Sequence, residues 1–235
     1  MEDPLTGDVP ASVAREEEEE AALDVAQTYS DPPALLWTPQ GEESLRDGQL
    51  HCHLLVVALS TVASALMQPL LDSCQLAAEV KRPAKRAVAW ARSLLQHIAA
   101  QRIVLLTSMP AVEFHAAGRP AQHAQFVLET AAAHGTIAHG LPYLPSGNLV
   151  AGLPAAILSL CQIREQPAIA LVDVQEGSAP DLQSLHSLAS SAQALLQKAG
   201  WQEADLMAKE PTKLAATCRT LDKASQRESR AALFV

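Results

Sequence analysis

Pro167 and the residues on either side of it constrain the fold more than any other feature. A proline cannot continue a helix, and it biases the residue before it away from helical backbone. Any helix upstream must therefore end before Pro167. Gly152-Leu-Pro-Ala-Ala-Ile-Leu-Ser-Leu-Cys-Gln-Ile163 supplies such a helix. Gly152 can take positive φ at the turn without steric cost, and Pro154 suits the first helical position. Downstream, Ala168-Ile-Ala-Leu-Val172 is a short continuous apolar run with two β-branched members, which predicts a strand buried on both faces. The helix predicted over 154–165 has a narrow polar stripe, Ser159, Gln162 and Glu165 or Gln166, while Ile157, Leu158, Leu160, Cys161 and Ile163 spread over the rest. A helix this apolar is covered on more than one side, so Ile157 and Leu160 are expected to meet a partner chain.

The remaining elements follow the same α/β rhythm. Leu50 to Leu59 reads as a strand with Leu54, Leu55, Val56 and Val57 as a buried run. Ser60 can cap a helix from Thr61 to about Leu71. Leu76 to Val80 suggests another short strand. Residues 83–100 read as an amphipathic helix, with Val88, Ala91, Leu94, Leu95 and Ile98 on the apolar face. Arg102 to Thr107 reads as a buried strand. Pro110 to Gly147 is a weaker stretch with histidines at 115, 123, 134 and 139, and one helix is expected around Ala121–Ala133. Pro180 opens a helix from Asp181 to Ala199 that Gly200 closes, and Pro211 and Thr212 start a last helix running through Leu221. Strands alternating with helices predict an α/β fold with a largely parallel central sheet flanked by helices.

The chain has 235 residues and a formal charge of −9, and the charge is unevenly placed. Residues 1–33 carry ten acids against one base, while residues 34–235 carry sixteen of each. The arm, with five consecutive glutamates from Glu16 to Glu20 and little apolar periodicity, is expected to be disordered. The balanced body argues against an electrostatic nucleic-acid binder. The run from Leu54 to Leu71 is interrupted by Ser60, Thr61, Ser64, Gln68 and Pro69, too often to span a bilayer. The four cysteines, 52, 74, 161 and 218, form no CxxC pair. Without a secretory signature they are expected to be reduced thiols in the cytoplasm or nucleus. Lys81-Arg-Pro-Ala-Lys-Arg86 could serve nuclear import or simply be a solvated helix start.

No nucleophile elbow, dinucleotide loop, phosphate loop or zinc-protease motif occurs. His51 and His53 would share a strand face, but no acid or further cysteine nearby completes a metal set. Cys161 sits mid-helix among apolar neighbours, where a thiol is inert packing. Asp173 ends the buried strand, a place where α/β folds often put site residues, although structural capping explains it as well. No catalytic, cofactor or metal residue is assigned, and no cofactor is expected.

Gly152-Leu-Pro-Ala-Ala-Ile-Leu-Ser-Leu-Cys-Gln-Ile, followed by Gln166-Pro-Ala-Ile-Ala-Leu, resembles the most recognisable segment of the proteasome assembly chaperone 1 family, over about 25 residues. The resemblance implies one α/β domain, here 34–230, between the acidic arm 1–33 and a flexible tail 231–235. It implies a non-enzymatic chaperone that acts on the proteasome alpha ring as a heterodimer with proteasome assembly chaperone 2. The ending Leu233-Phe234-Val235 resembles the hydrophobic-aromatic tail with which such proteins dock between alpha subunits, although the family pattern prefers tyrosine where Phe234 stands. A free carboxylate can pair with a pocket lysine while the two preceding side chains bury apolar surface. The rival expectation is an α/β enzyme of phosphorylase- or hydrolase-like type, with its site in 110–147.

Overall fold

The computed structural model describes residues 35–37, 45–46, 48–67, 78–80, 87–115, 124–135, 140–175, 182–202 and 206. In chain order the elements are β1 (Leu35–Trp37), β2 (Leu45–Arg46), β3 (Gln49–Ala58), α1 (Thr61–Met67), β4 (Ala78–Val80), α2 (Ala87–His97), β5 (Ile98–Pro110), β6 (Gln125–Glu129), α3 (Gly152–Ile163), β7 (Ala168–Gln175) and α4 (Leu182–Ala199). The expected acidic arm, the Lys81–Arg86 cluster, the last helix and the tail 231–235 lie outside the described residues.

Five strands form the main sheet in the order β2-β3-β5-β7-β6. β3, β5 and β7 run parallel, with Leu50 opposite Ile98, Ala58 opposite Leu106, and Ile103 opposite Ala168. β6 runs antiparallel to β7, from Gln125 opposite Asp173 to Glu129 opposite Ile169. β2 is antiparallel to β3 at its first two residues. The strand expected near 76–80 forms, but it pairs with β1 outside this sheet.

Side-chain alternation builds two cores. Val104, Leu106, Ile169, Leu171 and Val127 face α1 and α4, together with Leu185, Leu188, Leu195 and Leu196. Ile103, Leu105, Ala168 and Ala170 face α2 and α3, with Trp90, Leu94, Leu95, Leu153, Ile157 and Cys161. Strands covered on both faces read as unbroken apolar runs, which is why β5 and β7 stand out in the sequence. The result is a single α/β domain with a largely parallel sheet flanked by helices.

The ends of the helices follow their sequence signals. Ser60 Oγ accepts from Ala63 N–H at 3.1 Å, an N-cap bond. Gly152 has φ +71°. Gly200, at φ +116°, donates to Gln197 C=O, and Trp201 donates to Leu196 C=O, the paired bonds of a Schellman ending. α3 ends the same way through Glu165 to Gln162 and Gln166 to Cys161, with Glu165 at φ +52°.

Three expectations change. The helix expected over 83–100 spans Ala87–His97, because Ile98 passes directly into the sheet opposite Leu50. Trp90 takes a buried place on it, and Val88 is exposed. The helix expected around 121–133 is instead strand β6 followed by turns. Pairing with β7 and burial of Val127 outweigh the helix propensity of the alanines and glutamines, since propensity is a weak prior against tertiary context. The run Leu54 to Val57, expected to be fully buried, is half-buried, because β3 lies beside β2 near the sheet's edge.

Candidate functional site

α3 was the expected partner surface, and the chain's own sheet and α2 cover one face of it. Leu153, Ala156, Ile157 and Cys161 point inward and are buried. Ile157 is thus a core residue of its own chain and is not accessible to another. Leu160 is half-buried against the same core, and Ile163 is 77 % exposed. Arg164 fastens the end of α3 to α2 by donating from Nη1 to Leu95 C=O at 3.1 Å. Burial pushes the Cys161 thiol up to about 11, with a smaller opposing pull from the Arg164 guanidinium. That is the direction of an inert packing thiol.

The region 110–147 brings some of its chemistry-bearing residues together and holds others apart. His123 and His139 lie outside the described residues. His115 is fixed through its backbone: its N–H donates to Asn148 Oδ1 at 2.6 Å, and Asn148 Nδ2 donates to its C=O at 2.7 Å. Asn148 thereby acts like one residue of a neighbouring strand. His134 Nδ1 lies 2.5 Å from Glu129 Oε1, and Tyr143 Oη donates to the same oxygen at 2.6 Å. The hydrogen bond to Glu129 raises the Tyr143 phenol above its ordinary value, with desolvation and the Glu129 charge adding in the same sense. Periodicity gave no hint of this cluster, because its members come from a strand end, a turn and a loop.

The segment carrying Tyr143 is tied to β6. Val127 N–H donates to Pro142 C=O at 2.9 Å, and Leu144 N–H donates to Val127 C=O at 3.0 Å. Carboxylate, imidazole and phenol therefore surround a strap closing the β6 edge.

The other flagged residues also have structural surroundings. Asp173 is buried and accepts from Gln125 Nε2 at 3.3 Å and from Gln175 Nε2 at 3.1 Å. His53 Nδ1 lies 2.7 Å from Gln101 Oε1, and Arg102 Nη1 donates to Ala199 C=O at 3.0 Å at the end of α4. Among the described residues, no three or more His, Cys, Asp or Glu side chains are placed to hold a metal ion. No helix among them is long and apolar enough to cross a membrane.

At the C-terminal end of the parallel strands lies a third apolar cluster of Met109, Leu144, Val172 and Val174, with Phe114 stacked on Phe126 at 5.1 Å. On its rim Val112 is 90 % exposed and Leu149 is 84 % exposed. Val112 lies in the 3-10 turn Ala111–Glu113, just before His115, and Leu149 directly follows Asn148, the two residues that are bonded to each other.

The fold is similar to that of solved archaeal proteins. A structure of a protein with unknown function from Thermoplasma acidophilum is similar over 83 % of this chain and 93 % of its own, with TM-score 0.56 and 12 % identity. Pyrococcus furiosus PbaA, described as an archaeal homolog of proteasome-assembly chaperone, is similar over 84 % of this chain and 96 % of its own, with TM-score 0.52 and 10 % identity. Its monoclinic form gives TM-score 0.50 and 10 % identity over 86 % and 93 %. No protein-family model matches the sequence, and no curated protein matches it. At these identities the likeness establishes the shared fold.

Proposed function

We propose that this chain is a non-enzymatic assembly chaperone of the proteasome alpha ring, acting with proteasome assembly chaperone 2. The observation that carries the reading is an agreement between two separate likenesses. The segment Gly152–Leu171, which resembles the assembly chaperone 1 family, forms α3 and the first half of β7, and the fold around it is similar to PbaA, whose description names a proteasome-assembly chaperone. Its place of work would be where proteasomes are built, in the cytoplasm, with the Lys81–Arg86 cluster a candidate for import to the nucleus.

In this reading the body supplies shape, through surfaces such as Val112, Leu149, Leu160 and Ile163, and the tail supplies the anchor. Leu233 and Phe234 together would contribute about 2–4 kcal/mol of burial before the cost of ordering the tail. The Val235 carboxylate, as the terminal group, would add a charge-assisted contact to a pocket lysine. Capture of alpha-ring intermediates by the full chain and by a chain lacking Leu233–Val235 tests this. Deletion is expected to leave folding unchanged and to weaken capture tenfold or more, as is adding glycines after Val235. Phe234→Tyr should bind at least as well. Equal capture by the deleted chain would move recognition to the body. Failure of the intact chain to capture alpha subunits, alone or with the second chaperone, would sink the proposal.

A further inference from the structure

Three side chains of unlike chemistry meet at the β6 edge, and each is brought there by a different element. Glu129 is the last residue of β6, opposite Ile169, and its side chain is only 7 % exposed. His134 closes the turn that follows, with its N–H donating to Thr130 C=O at 3.2 Å. That turn is fastened to the body. Thr130 Oγ1 donates to Gln166 C=O, Ala168 N–H donates to Thr130 Oγ1, and Ala131 N–H donates to Gln162 Oε1. Tyr143 arrives on the strap, bridged in parallel to Val127. The three donor atoms form a small triangle. Glu129 Oε1 lies 2.5 Å from His134 Nδ1 and 2.6 Å from Tyr143 Oη, and Oη lies 3.4 Å from Nδ1. The imidazole is 74 % exposed and Tyr143 is half exposed, so the triangle is reached from water.

We propose that Glu129, His134 and Tyr143 are the protein ligands of a divalent transition cation of the Zn²⁺ or Cu²⁺ kind. A cation bound at about 2.0–2.2 Å holds neighbouring ligands roughly 3 Å apart, so the triangle has nearly the dimensions of one face of a coordination shell. Only Oε1 must withdraw, by less than about 1 Å, and the terminal torsion of a glutamate is soft enough to allow it. One imidazole nitrogen with two oxygens suits Cu²⁺ and Zn²⁺, whereas Mg²⁺ and Ca²⁺ prefer oxygen alone. Among the described residues no three His, Cys, Asp or Glu gather here, and the phenol stands as the third donor. On binding, the cation takes the place of the phenol proton, which passes to water. The hydrogen bond to Glu129 that raises the phenol in the free chain works against this exchange, and the cation's own charge reverses the balance. Carboxylate and phenolate then offset the charge of the metal, with the imidazole neutral and water in the remaining positions. Strand end, turn and strap become one coordinated unit, so the cation locks the strap that closes β6. This inference concerns the chain alone and does not depend on the proteasome reading.

Zn²⁺ titrated into the full chain, freed of metal by chelation, tests this by calorimetry and residue-resolved amide exchange. Binding at about 1–100 μM is expected, with the Val127 and Leu144 amides exchanging about tenfold more slowly in the bound form. Mg²⁺ at the same concentrations should change neither amide. Cu²⁺ should bring up a visible phenolate-to-copper absorption that Tyr143→Phe removes. His134→Ala, at an exposed position, should weaken Zn²⁺ binding about tenfold or more and cancel the slowing. The exposed His51 and His53 are competing nitrogen donors, so the chain carrying His51→Ala and His53→Ala should keep the strap effect. No slowing of the two amides with Zn²⁺ raised to about 1 mM overturns the proposal. So does slowing that survives His134→Ala, or that vanishes with the His51 and His53 substitutions. If His134→Ala disturbs the fold, the copper absorption decides. Its presence in the intact chain and loss in Tyr143→Phe support the site, and its absence from the intact chain overturns it.

Discussion

The two sides of the sheet are built from similar residues and finished differently. Val56 on β3 and Val127 on β6 are comparable: each turns its backbone groups away from the neighbouring central strand, and each side chain lies toward the α1/α4 core. Val127 is fully buried, and both of its backbone groups are taken by Pro142 and Leu144. The strap that takes them is clamped by Glu129, Tyr143 and His134. Val56 is half-buried, and its outward backbone groups have no partner among the described residues. The teaching is that an edge is defined less by its strand than by what the chain lays beside it. A strap of a few residues turns one valine into core, while the other is left half-buried.

The sharpest break of this comparison is a matched pair of substitutions. Val127→Asp buries a carboxylate in the apolar core beneath the strap, among hydrophobic described neighbours, and should cost about 3–5 kcal/mol. Most of the protein is then expected to be insoluble. Val56→Asp places the same charge on a half-buried position, where it can reach water, and should cost about 1–2 kcal/mol. Urea unfolding midpoints of the two variants check this. Similar losses at both sites would show that a segment of the chain covers the β3 edge as fully as the strap covers β6.

That contrast also marks how far the sequence could be read. The apolar run of β7, the Gly152 turn, the Ser60 cap and the Gly200 ending were all legible, because each is a local rule satisfied by neighbours in the chain. Open and closed edges were not. An unbroken run such as Leu54–Val57 shows that both faces of a strand are apolar, but face periodicity carries no information about whether its backbone edge is paired. β6 was missed for a related reason. Its alanine- and glutamine-rich surroundings favour a helix, and only Phe126-Val127-Leu128 between polar ends signalled a strand. The apolar girth of α3 was read as cover by a partner chain, whereas the cover at Ile157 is the chain's own core. The Glu129–His134–Tyr143 cluster depends on a loop returning to a strand end, and no spacing rule reports that.

A smaller effect is expected on the β3 side of the sheet. A Cβ on Gly200 would stand 3.1 Å from His53 Nε2 on β3, and the backbone there has φ +116°. Gly200→Ala should therefore cost about 2 kcal/mol, part of it backbone strain and part the displacement of His53. His53→Ala in the same chain should return the second part only. The double-mutant cycle would then show a coupling of roughly 0.5–1 kcal/mol. Exchange of the Val127 and Leu144 amides should be unchanged in both variants, since the strapped edge lies across the sheet. If their exchange accelerates with the His53-side changes, the two edges open as one unit and do not act as separate regions.

The least disruptive change tests the clamp itself. Tyr143→Phe deletes the donor to Glu129 Oε1 and leaves the ring in place, so the strap should remain but open more often. The Val127 and Leu144 amides are expected to exchange several-fold faster, with little change in the global midpoint, because an exposed hydrogen bond contributes little to the whole fold. Its pH dependence follows from the raised phenol. A group whose folded pKa lies above its unfolded value adds stability that is fully present below the unfolded value, near 10 for tyrosine, and is lost as pH rises through the folded one. The stability gap between native chain and Tyr143→Phe should thus be level through neutral pH and close only above about pH 10. Thermal unfolding of both proteins from neutral to alkaline pH would show it. A gap that closes on the acid side would point to Glu129 and His134 as the working pair, and the phenol would then only rest against a clamp formed without it.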